Sequence, residues 1–244
     1  MDRKVAIIIG GSRGIGAAVA RLAASRGYLV VFTYASRIDD AKRLQEHVAA
    51  SGGEAHAIRA DASSEADLAA VFDKAATLGT ISALVYSTGI TGAASPLADA
   101  SAETLRDVIE VNLVGAMLAA REGVRRMSTA RGGQGGAIVL ISSRAAALGS
   151  ANEYVWYAAS KGGIDSLAIG LSKEVGGQGI RVNCVSPGPV ATEMLSPERL
   201  ALGASRVPMQ RAGQPAEIAE SVLYLLSDSA SYVTGANLSV SGGA

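Results

Sequence analysis

The amino-acid sequence is poor in the residues that form disulfide bonds and metal sites. It contains one cysteine, Cys184, and two histidines, His47 and His56. A single cysteine excludes a disulfide bond within the chain, which fits a reducing compartment. Neither histidine has a cysteine or carboxylate partner at the spacing of metal ligands, so we expect exposed surface histidines and no metal site.

The sequence also lacks an excess of charge of either sign, and it lacks long hydrophobic runs. Its 22 Lys and Arg residues balance 22 Asp and Glu residues. We therefore expect no electrostatic attraction to nucleic acid or to an anionic membrane. The first apolar run, residues 5–9, is too short for a signal-peptide core or a membrane span. These observations predict a cytoplasmic protein with neither a nucleic-acid nor a membrane partner.

Short apolar runs alternate with helical patterns along the whole chain. The runs are apolar at nearly every position, which is typical of parallel strands buried on both faces. Alternation without a linker predicts one α/β domain over residues 1–244. We expect a doubly wound Rossmann-type fold, with a mostly or wholly parallel seven-stranded sheet and helices on both faces. The predicted strands are 5–9, 29–32, 55–60, 83–86, 137–141, 180–185 and 238–240, and the predicted helices are 15–26, 39–50, 65–77, 104–129, 154–175 and 216–227.

A glycine-rich turn follows the first predicted strand. Residues 10–16 read Gly-Gly-Ser-Arg-Gly-Ile-Gly and lead into a helix. Glycine lets the backbone approach a pyrophosphate, and a helix N-terminus offers N–H groups and a positive dipole end to the anion. A tight turn without a ligand is the alternative. Strand, turn and helix in this order predict a dinucleotide site that includes Gly10, Ser12, Arg13, Gly14, Ile15 and Gly16.

The end of the second predicted strand bears on the choice of coenzyme. Folds that bind NAD usually place an acidic residue here for the ribose 2′-hydroxyl. Residues 33–37 contain no acid, and the first one is Asp39. Ser36, Arg37 and Arg13 could instead neutralise a 2′-phosphate, so we predict NADP(H) in preference to NAD(H). The alternative is that the arginines are ordinary surface charges.

A tyrosine and a lysine stand four residues apart in a predicted helix. At that spacing Tyr157 and Lys161 share one helix face. An ammonium beside a phenol favours the phenolate, so Tyr157 could exchange a proton near neutral pH. Such pairs are common on solvated helices, and the spacing alone does not identify a catalytic site.

Further residues in a fixed order give the pair its context. The glycine-rich turn is followed along the chain by Asn112, Ser143, Tyr157, Lys161 and Pro187-Gly188. In this order the chain resembles the short-chain dehydrogenase/reductase family, single-domain branch, from about residue 4 to the end. With the arginines above, the resemblance implies an NADP(H)-dependent oxidoreductase that interconverts a carbonyl and a secondary alcohol by hydride transfer.

The resemblance also implies roles for the four candidate catalytic residues. Tyr157 is the implied acid and base, and Lys161 would lower the pKa of Tyr157 and hold the nicotinamide ribose. Ser143 would hydrogen-bond the substrate oxygen. Asn112 would hold a water in a proton relay to Lys161.

Other positions match the coenzyme-binding residues of the family. Asp61 corresponds to the acid that accepts a hydrogen bond from the adenine amino group, with an ordinary loop aspartate as the alternative. Gly89 lies where the backbone passes the adenine ribose. The segment that meets the nicotinamide carboxamide is matched by Pro187, Gly188, Val190 and Thr192.

The sequence departs from the family pattern in three places. The catalytic serine usually stands thirteen residues before the tyrosine, but that position is Arg144. Alignment on the strand end selects Ser143 over its neighbour Ser142 and leaves one extra residue in 145–156. The family's threonine before the glycine turn is Ile9, and its Asn-Asn-Ala-Gly is Tyr-Ser-Thr-Gly at 86–89. Because the last two of these places support each other in the family, an apolar contact between Ile9 and 86–89 is expected here instead of a polar one.

Substrate and partners are the least defined. Residues 191–212 resemble a mobile lid over the nicotinamide. We expect a small-molecule carbonyl or alcohol substrate and, from the resemblance, a homodimer or homotetramer. A 3-oxoacyl thioester reductase is an alternative that would need a basic patch for a carrier protein. The candidate basic patch consists of Arg121, Arg125, Arg126 and Arg131. A dinucleotide-binding protein without catalysis is a second alternative, although Ser143, Tyr157 and Lys161 are all retained.

Overall fold

The computed structural model describes residues 3–244, which form a seven-stranded parallel sheet with the order β3-β2-β1-β4-β5-β6-β7. All seven predicted strands are confirmed, with ends displaced by up to three residues. The strands are β1 (Lys4–Ile9), β2 (Leu29–Tyr34), β3 (Glu54–Arg59), β4 (Thr80–Tyr86), β5 (Gly136–Ile141), β6 (Ile180–Pro187) and β7 (Asn237–Val240).

Helices cover both faces of this sheet. The α-helices are α1 (Gly14–Ser25), α2 (Ile38–Ala50), α3 (Glu65–Ala76), α4 (Ala102–Ile109), α5 (Gly115–Met127), α6 (Ala145–Leu148), α7 (Val155–Val175), α8 (Pro197–Ser205) and α9 (Pro215–Leu226). Helices α1, α2 and α9 pack into one apolar core, and α3, α5 and α7 pack into the other. In β1, Ala6 and Ile8 enter the first core while Val5, Ile7 and Ile9 enter the second, as the alternation of a strand requires. The doubly wound Rossmann-type fold is thereby confirmed.

The structure differs from the predicted elements in three places. The single helix expected at 104–129 is α4 and α5 joined by a π-helical turn, Glu110–Val114. Strand β3 is only half-buried because it lies at the sheet edge. Helices α6 and α8 are additional to the predicted helices: α6 has only four residues and lies within 145–156, and α8 lies in the segment predicted to be a lid.

The strand order reverses between β1 and β4, at the centre of the sheet. Ligands of open parallel sheets bind beyond the carboxyl ends of the strands at such a switch point. The glycine-rich turn follows β1, and the segments after β4, β5 and β6 leave from the same edge. Within residues 3–244, no helix is long and apolar enough to cross a membrane.

Candidate active site

The glycine-rich turn is packed too closely for side chains at its key positions. Gly10 and Gly14 have φ angles of +81° and +54°, in the region that favours glycine. A Cβ on Gly16 would lie 2.1 Å from the carbonyl oxygen of Gly10. The N–H of Gly10 donates to Thr33 Oγ1 at 2.9 Å, which ties the turn to β2. Helix α1 starts after Arg13 with no side-chain cap and no acid in its first turn, as a site for a pyrophosphate requires.

Two arginines from different elements meet beside this turn. Arg13 precedes α1, and Arg37 precedes α2. Their Nη1 atoms lie 3.4 Å and 3.1 Å from the same carboxylate oxygen of Glu193. Arg37 is also 3.8 Å from Asp40. A cleft of about 1050 Å³ runs along this side, lined by Ser12, Arg13, Gly14 and residues that include 191–193.

Tyr157 lies in the first turn of α7, and its side chain lies close to Ser143, which follows β5. Burial raises the pKa of Tyr157 above its ordinary value, and hydrogen bonding from Ser143 to the phenolate acts in the opposite direction. Lys161 is not among the groups that shift this pKa in the structure, so its effect on the phenol stays a prediction. Lys161 Nζ donates elsewhere and lies 5.7 Å from the Tyr157 ring centroid.

Lys161 is buried, with 3% of its surface exposed, one turn after Tyr157. Its Nζ donates to the main-chain oxygen of Ile141 at 2.8 Å. Burial lowers the pKa of Lys161 to about 8, against the opposing effect of the nearby Cys184 and Asp165. A neutral acceptor thus holds the ammonium where the charge is easily lost.

Asn112 lies in the π-helical turn and is fully buried. Its Oδ1 accepts from the N–H of Ile90 at 2.8 Å, and its Nδ2 donates to Ile90 O and Ser160 Oγ at 2.9 and 3.0 Å. The hydrogen bonds of Asn112 are to Ile90 and Ser160, and none joins it directly to Lys161. A Cβ on Gly89 would lie 3.4 Å from both Asn112 Oδ1 and Lys161 Nζ. Gly89 therefore separates the two side chains.

Sequence reasoning missed Tyr86 as a support of this turn. The buried Tyr86 hydroxyl donates to the main-chain oxygen of Val111, the residue before Asn112. Burial raises the pKa of Tyr86, so the hydroxyl stays a donor. Tyr86 is also the register partner of Ile9, and both are fully buried in one core. The expected apolar contact between Ile9 and 86–89 is present here.

Asp165 is a second residue that the sequence did not single out. It stands four residues after Lys161, the same spacing as that between Tyr157 and Lys161. The Ser142 hydroxyl lies near Asp165 and donates to the main-chain oxygen of Lys161 at 3.2 Å, and the buried Asp165 Oδ1 has no hydrogen-bond partner among the described residues. Burial raises the pKa of Asp165, although Ser142 opposes this. The spacing of four residues could have identified Asp165 from the sequence, because it places the carboxylate one helical turn after Lys161.

The remaining predicted coenzyme residues lie around the same edge. Asp61 Oδ1 accepts from the N–H and Oγ of Ser63 at 2.9 and 2.6 Å, which lowers the pKa of Asp61. A Cβ on Gly14 would lie 3.3 Å from Thr192 Cγ2, so the segment after β6 crosses the glycine turn. Pro187 ends β6, Gly188 and Val190 follow it, and Ser36 lies after β2.

The side chains of Trp156 and Arg144, which stand next to Tyr157 and Ser143 in the chain, are held by contacts within the protein. Trp156 is buried, and its Nε1 donates to Thr91 O at 2.7 Å. Arg144 Nε donates to the main-chain oxygen of Ala244 at 2.7 Å.

His56, expected on the surface, is half-buried against Glu54, because β3 holds it at the sheet edge. Across the described part of the chain, no His, Cys, Asp and Glu side chains are grouped as a metal site requires.

Comparisons with known proteins match nearly the whole chain. A family model described as Enoyl-(Acyl carrier protein) reductase matches residues 9–244. The uncharacterized oxidoreductase YgfF of Escherichia coli K12 is 44% identical, and the match covers 98% of this chain and 99% of that protein. The cis-4-hydroxycyclohexanecarboxylate dehydrogenase of Sinomonas cyclohexanicum is 38% identical, with 98% and 96% covered.

Solved structures of other proteins superpose on nearly the whole of this chain. A dehydrogenase/reductase from Sinorhizobium meliloti 1021 superposes with a TM-score of 0.93 at 32% identity, covering 100% of this chain and 95% of the other. A blue fluorescent protein from a metagenomic library, solved in complex with NADPH, has a TM-score of 0.91 at 33% identity, with 98% and 97% covered. The chain belongs to the short-chain dehydrogenase/reductase family of oxidoreductases, whose members bind a nicotinamide dinucleotide.

Proposed function

We propose that the protein is an NADP(H)-dependent oxidoreductase that interconverts a carbonyl compound and a secondary alcohol. The proposal rests on one juxtaposition: the side chains of Ser143 and Tyr157 lie close together, and Lys161 follows one turn later. Two hydroxyl groups that meet in this way can both reach one substrate oxygen. A buried cation nearby can stabilise charge left on the phenol.

Each residue has a task in the reaction. When bound, the coenzyme would supply hydride to the carbonyl carbon or take it from the alcohol carbon. In reduction, Tyr157 donates its proton to the carbonyl oxygen, and in oxidation its phenolate takes the proton back. Ser143 donates a hydrogen bond to the same oxygen and stabilises the negative charge that develops there. Lys161 stabilises the phenolate that Tyr157 becomes after proton donation.

The chain's residues fit a dinucleotide. Without side chains the turn at Gly10, Gly14 and Gly16 lets a pyrophosphate approach the uncapped start of α1. We assign the adenine end to Asp61 and Gly89. Lys161 would hold the nicotinamide ribose. The nicotinamide end would be held by Pro187, Gly188, Val190 and Thr192.

NADP(H) is favoured over NAD(H) by the charges after β1 and β2. Arg13 and Arg37 reach a common carboxylate oxygen, so both could also reach one phosphate. Ser36 adds a hydroxyl beside them. The NADPH complex of the metagenomic blue fluorescent protein supports the same assignment.

The thioester alternative has weaker support. Its support is the description of the matching family model, Enoyl-(Acyl carrier protein) reductase. However, Arg121 pairs with Glu65, and Arg125 and Arg126 both pair with Glu122. Arginines neutralised by carboxylates do not form a patch that attracts an acidic carrier protein. A small carbonyl compound is therefore the better proposal. The non-catalytic alternative is disfavoured because Ser143, Tyr157 and Lys161 come together.

We also propose that residues 191–212 act as a lid and that the protein works as a cytoplasmic homodimer or homotetramer. The N–H of Ala191 donates to Gly213 O at 2.9 Å, and the N–H of Gly213 donates to Pro189 O at 2.9 Å. These bonds close the base of the segment, and α8 lies between its ends. Met117 of α5 and Ile169 of α7 are 44% and 46% exposed, and both would be covered in a helix-mediated dimer.

A coenzyme-coupled substrate screen tests the proposed function. Ketones, aldehydes and secondary alcohols, including 4-hydroxycyclohexanecarboxylate, are assayed by NADPH absorbance in both directions. With the best substrate, Tyr157→Phe should lower kcat by about 10²- to 10⁴-fold, the range of general acid–base catalysis. NADPH affinity should stay within about twofold, because the phenyl ring keeps its packing. Retained turnover in Tyr157→Phe would refute the assignment.

A further inference from the structure

A carboxylate already stands between the two arginines that we assign to the 2′-phosphate. Glu193 Oε2 lies 3.4 Å from Arg13 Nη1 and 3.1 Å from Arg37 Nη1. The arginines come from two different βα connections, and Glu193 comes from the segment after β6. One anionic oxygen thus joins two cations that the chain brings together only in the folded state.

We infer that Glu193 is a specificity-determining residue that competes with the 2′-phosphate of NADP(H) for Arg13 and Arg37. The inference rests on the proposed function, which assigns both arginines to that phosphate. A carboxylate and a phosphate seek the same N–H donors of a guanidinium group. Two anions beside each other also repel, so Glu193 weakens the binding of NADP(H). NAD(H) has a neutral 2′-hydroxyl and does not meet this competition.

Glu193 can be displaced without unfolding its surroundings. Its side chain is 60% exposed, and both arginine side chains are 54% exposed. It stands two residues beyond Ala191, whose hydrogen bond with Gly213 closes the base of the segment. A phosphate could therefore turn Glu193 outwards while the base stays closed. By contrast, Asp40 is held in the first turn of α2, 3.8 Å from Arg37, and remains in place.

The segment provides a matched control for the charge of Glu193. Glu198, in the first turn of α8, is also exposed and hydrogen-bonds Ser196. Among the ion pairs found within residues 3–244, none joins Glu198 to Arg13 or Arg37. Glu198→Gln removes the same charge from the same segment without freeing either arginine.

Isothermal titration calorimetry with NADPH and with NADH tests the inference. In Glu193→Gln the Kd for NADPH should fall by about three- to tenfold, as loss of two exposed ion pairs allows. The Kd for NADH should stay within about twofold, and Glu198→Gln should leave both values unchanged. The gain should shrink as salt is raised, because the groups are exposed.

Two results would overturn the inference: NADPH affinity that is unchanged or weaker in Glu193→Gln, or an equal gain for NADH. Arg37→Ala separates this failure from that of the proposed coenzyme preference. If Arg37→Ala weakens NADPH but not NADH while Glu193→Gln has no effect, only the role of Glu193 is refuted. If Arg37→Ala leaves NADPH affinity unchanged, the arginines do not hold the phosphate and the preference itself fails.

Discussion

Lys161 Nζ and the main-chain oxygen of Ile141 are joined by a hydrogen bond of 2.8 Å that links α7 to the end of β5. The bond holds a cation in a buried position with a neutral acceptor. Burial then decides the chemistry of the group, because the pKa of Lys161 falls to about 8. Ser143 leaves the sheet two residues after Ile141, so the same bond also positions the proposed catalytic serine relative to the helix of Tyr157.

The lowered pKa of Lys161 predicts a pH-dependent stability. The folded protein releases this proton near pH 8, whereas the unfolded chain keeps it to about pH 10.5. Between these values the unfolded chain binds more protons, so the free energy of unfolding rises with pH. Relative to Lys161→Met, the wild type should gain roughly 2–3 kcal/mol over this window. Urea unfolding of both proteins from pH 7.5 to 10.5 measures the difference.

Lys173→Met is the control for this prediction. Lys173 is exposed on the same helix, so its variant should show the wild-type rise. A Lys161→Met curve parallel to that of the wild type would show that Lys161 is not titrating in this range.

Asp165→Asn should alter the pH dependence of carbonyl reduction. Asp165 is a carboxylate near Lys161 and raises the pKa of that lysine. Without it, Lys161 loses its charge at a lower pH, so kcat should begin to fall at a lower pH than in the wild type. Profiles of kcat from pH 6 to 9 measure this, with the exposed Glu174→Gln on the same helix as control. A uniform loss of kcat with no displacement of the profile would indicate a structural role instead.

Tyr86→Phe should weaken the support of the π-helical turn. The buried hydroxyl of Tyr86 donates to Val111 O beside Asn112. Its removal leaves a buried acceptor without this donor and should lower the free energy of unfolding by about 1–3 kcal/mol. Chemical unfolding measures the loss. Tyr232→Phe deletes the same hydroxyl from a fully exposed tyrosine and should change the stability by less than about 0.5 kcal/mol. Equal effects of the two variants would contradict the support role.

Gly16→Ala should disrupt the coenzyme turn. Its Cβ would lie 2.1 Å from Gly10 O, a backbone atom that cannot move aside cheaply. We expect NADPH affinity to fall at least about tenfold, with a loss of stability of about 1–3 kcal/mol. Gly170→Ala is the matched control, since nothing lies within 4 Å of its Cβ, and alanine there should stabilise α7 by about 0.5–1 kcal/mol. Calorimetry and thermal unfolding distinguish the two.

The sequence by itself determined the strands, most of the helices and the candidate residues. Buried parallel strands are apolar at nearly every position, and this local pattern located the five inner strands, while the edge strands β3 and β7 were found from apolar runs interrupted by polar residues and are only partly buried. The glycine turn was equally readable, because the need for glycine at Gly10 and Gly16 arises within a few residues. The pair of Tyr157 and Lys161 follows from helix geometry alone. Each of these features depends on neighbours in the chain.

Only the tertiary structure decided how these residues act. The pKa of Tyr157 depends on burial, and the direction of Lys161 depends on Ile141, twenty residues away. The π-helical turn at Asn112 could not be separated from a regular helix, because its partner Tyr86 lies on a distant strand. The pairing of Arg13 and Arg37 with Glu193 spans more than 150 residues. Desolvation and long-range contacts exist only after packing, and local sequence patterns do not encode them.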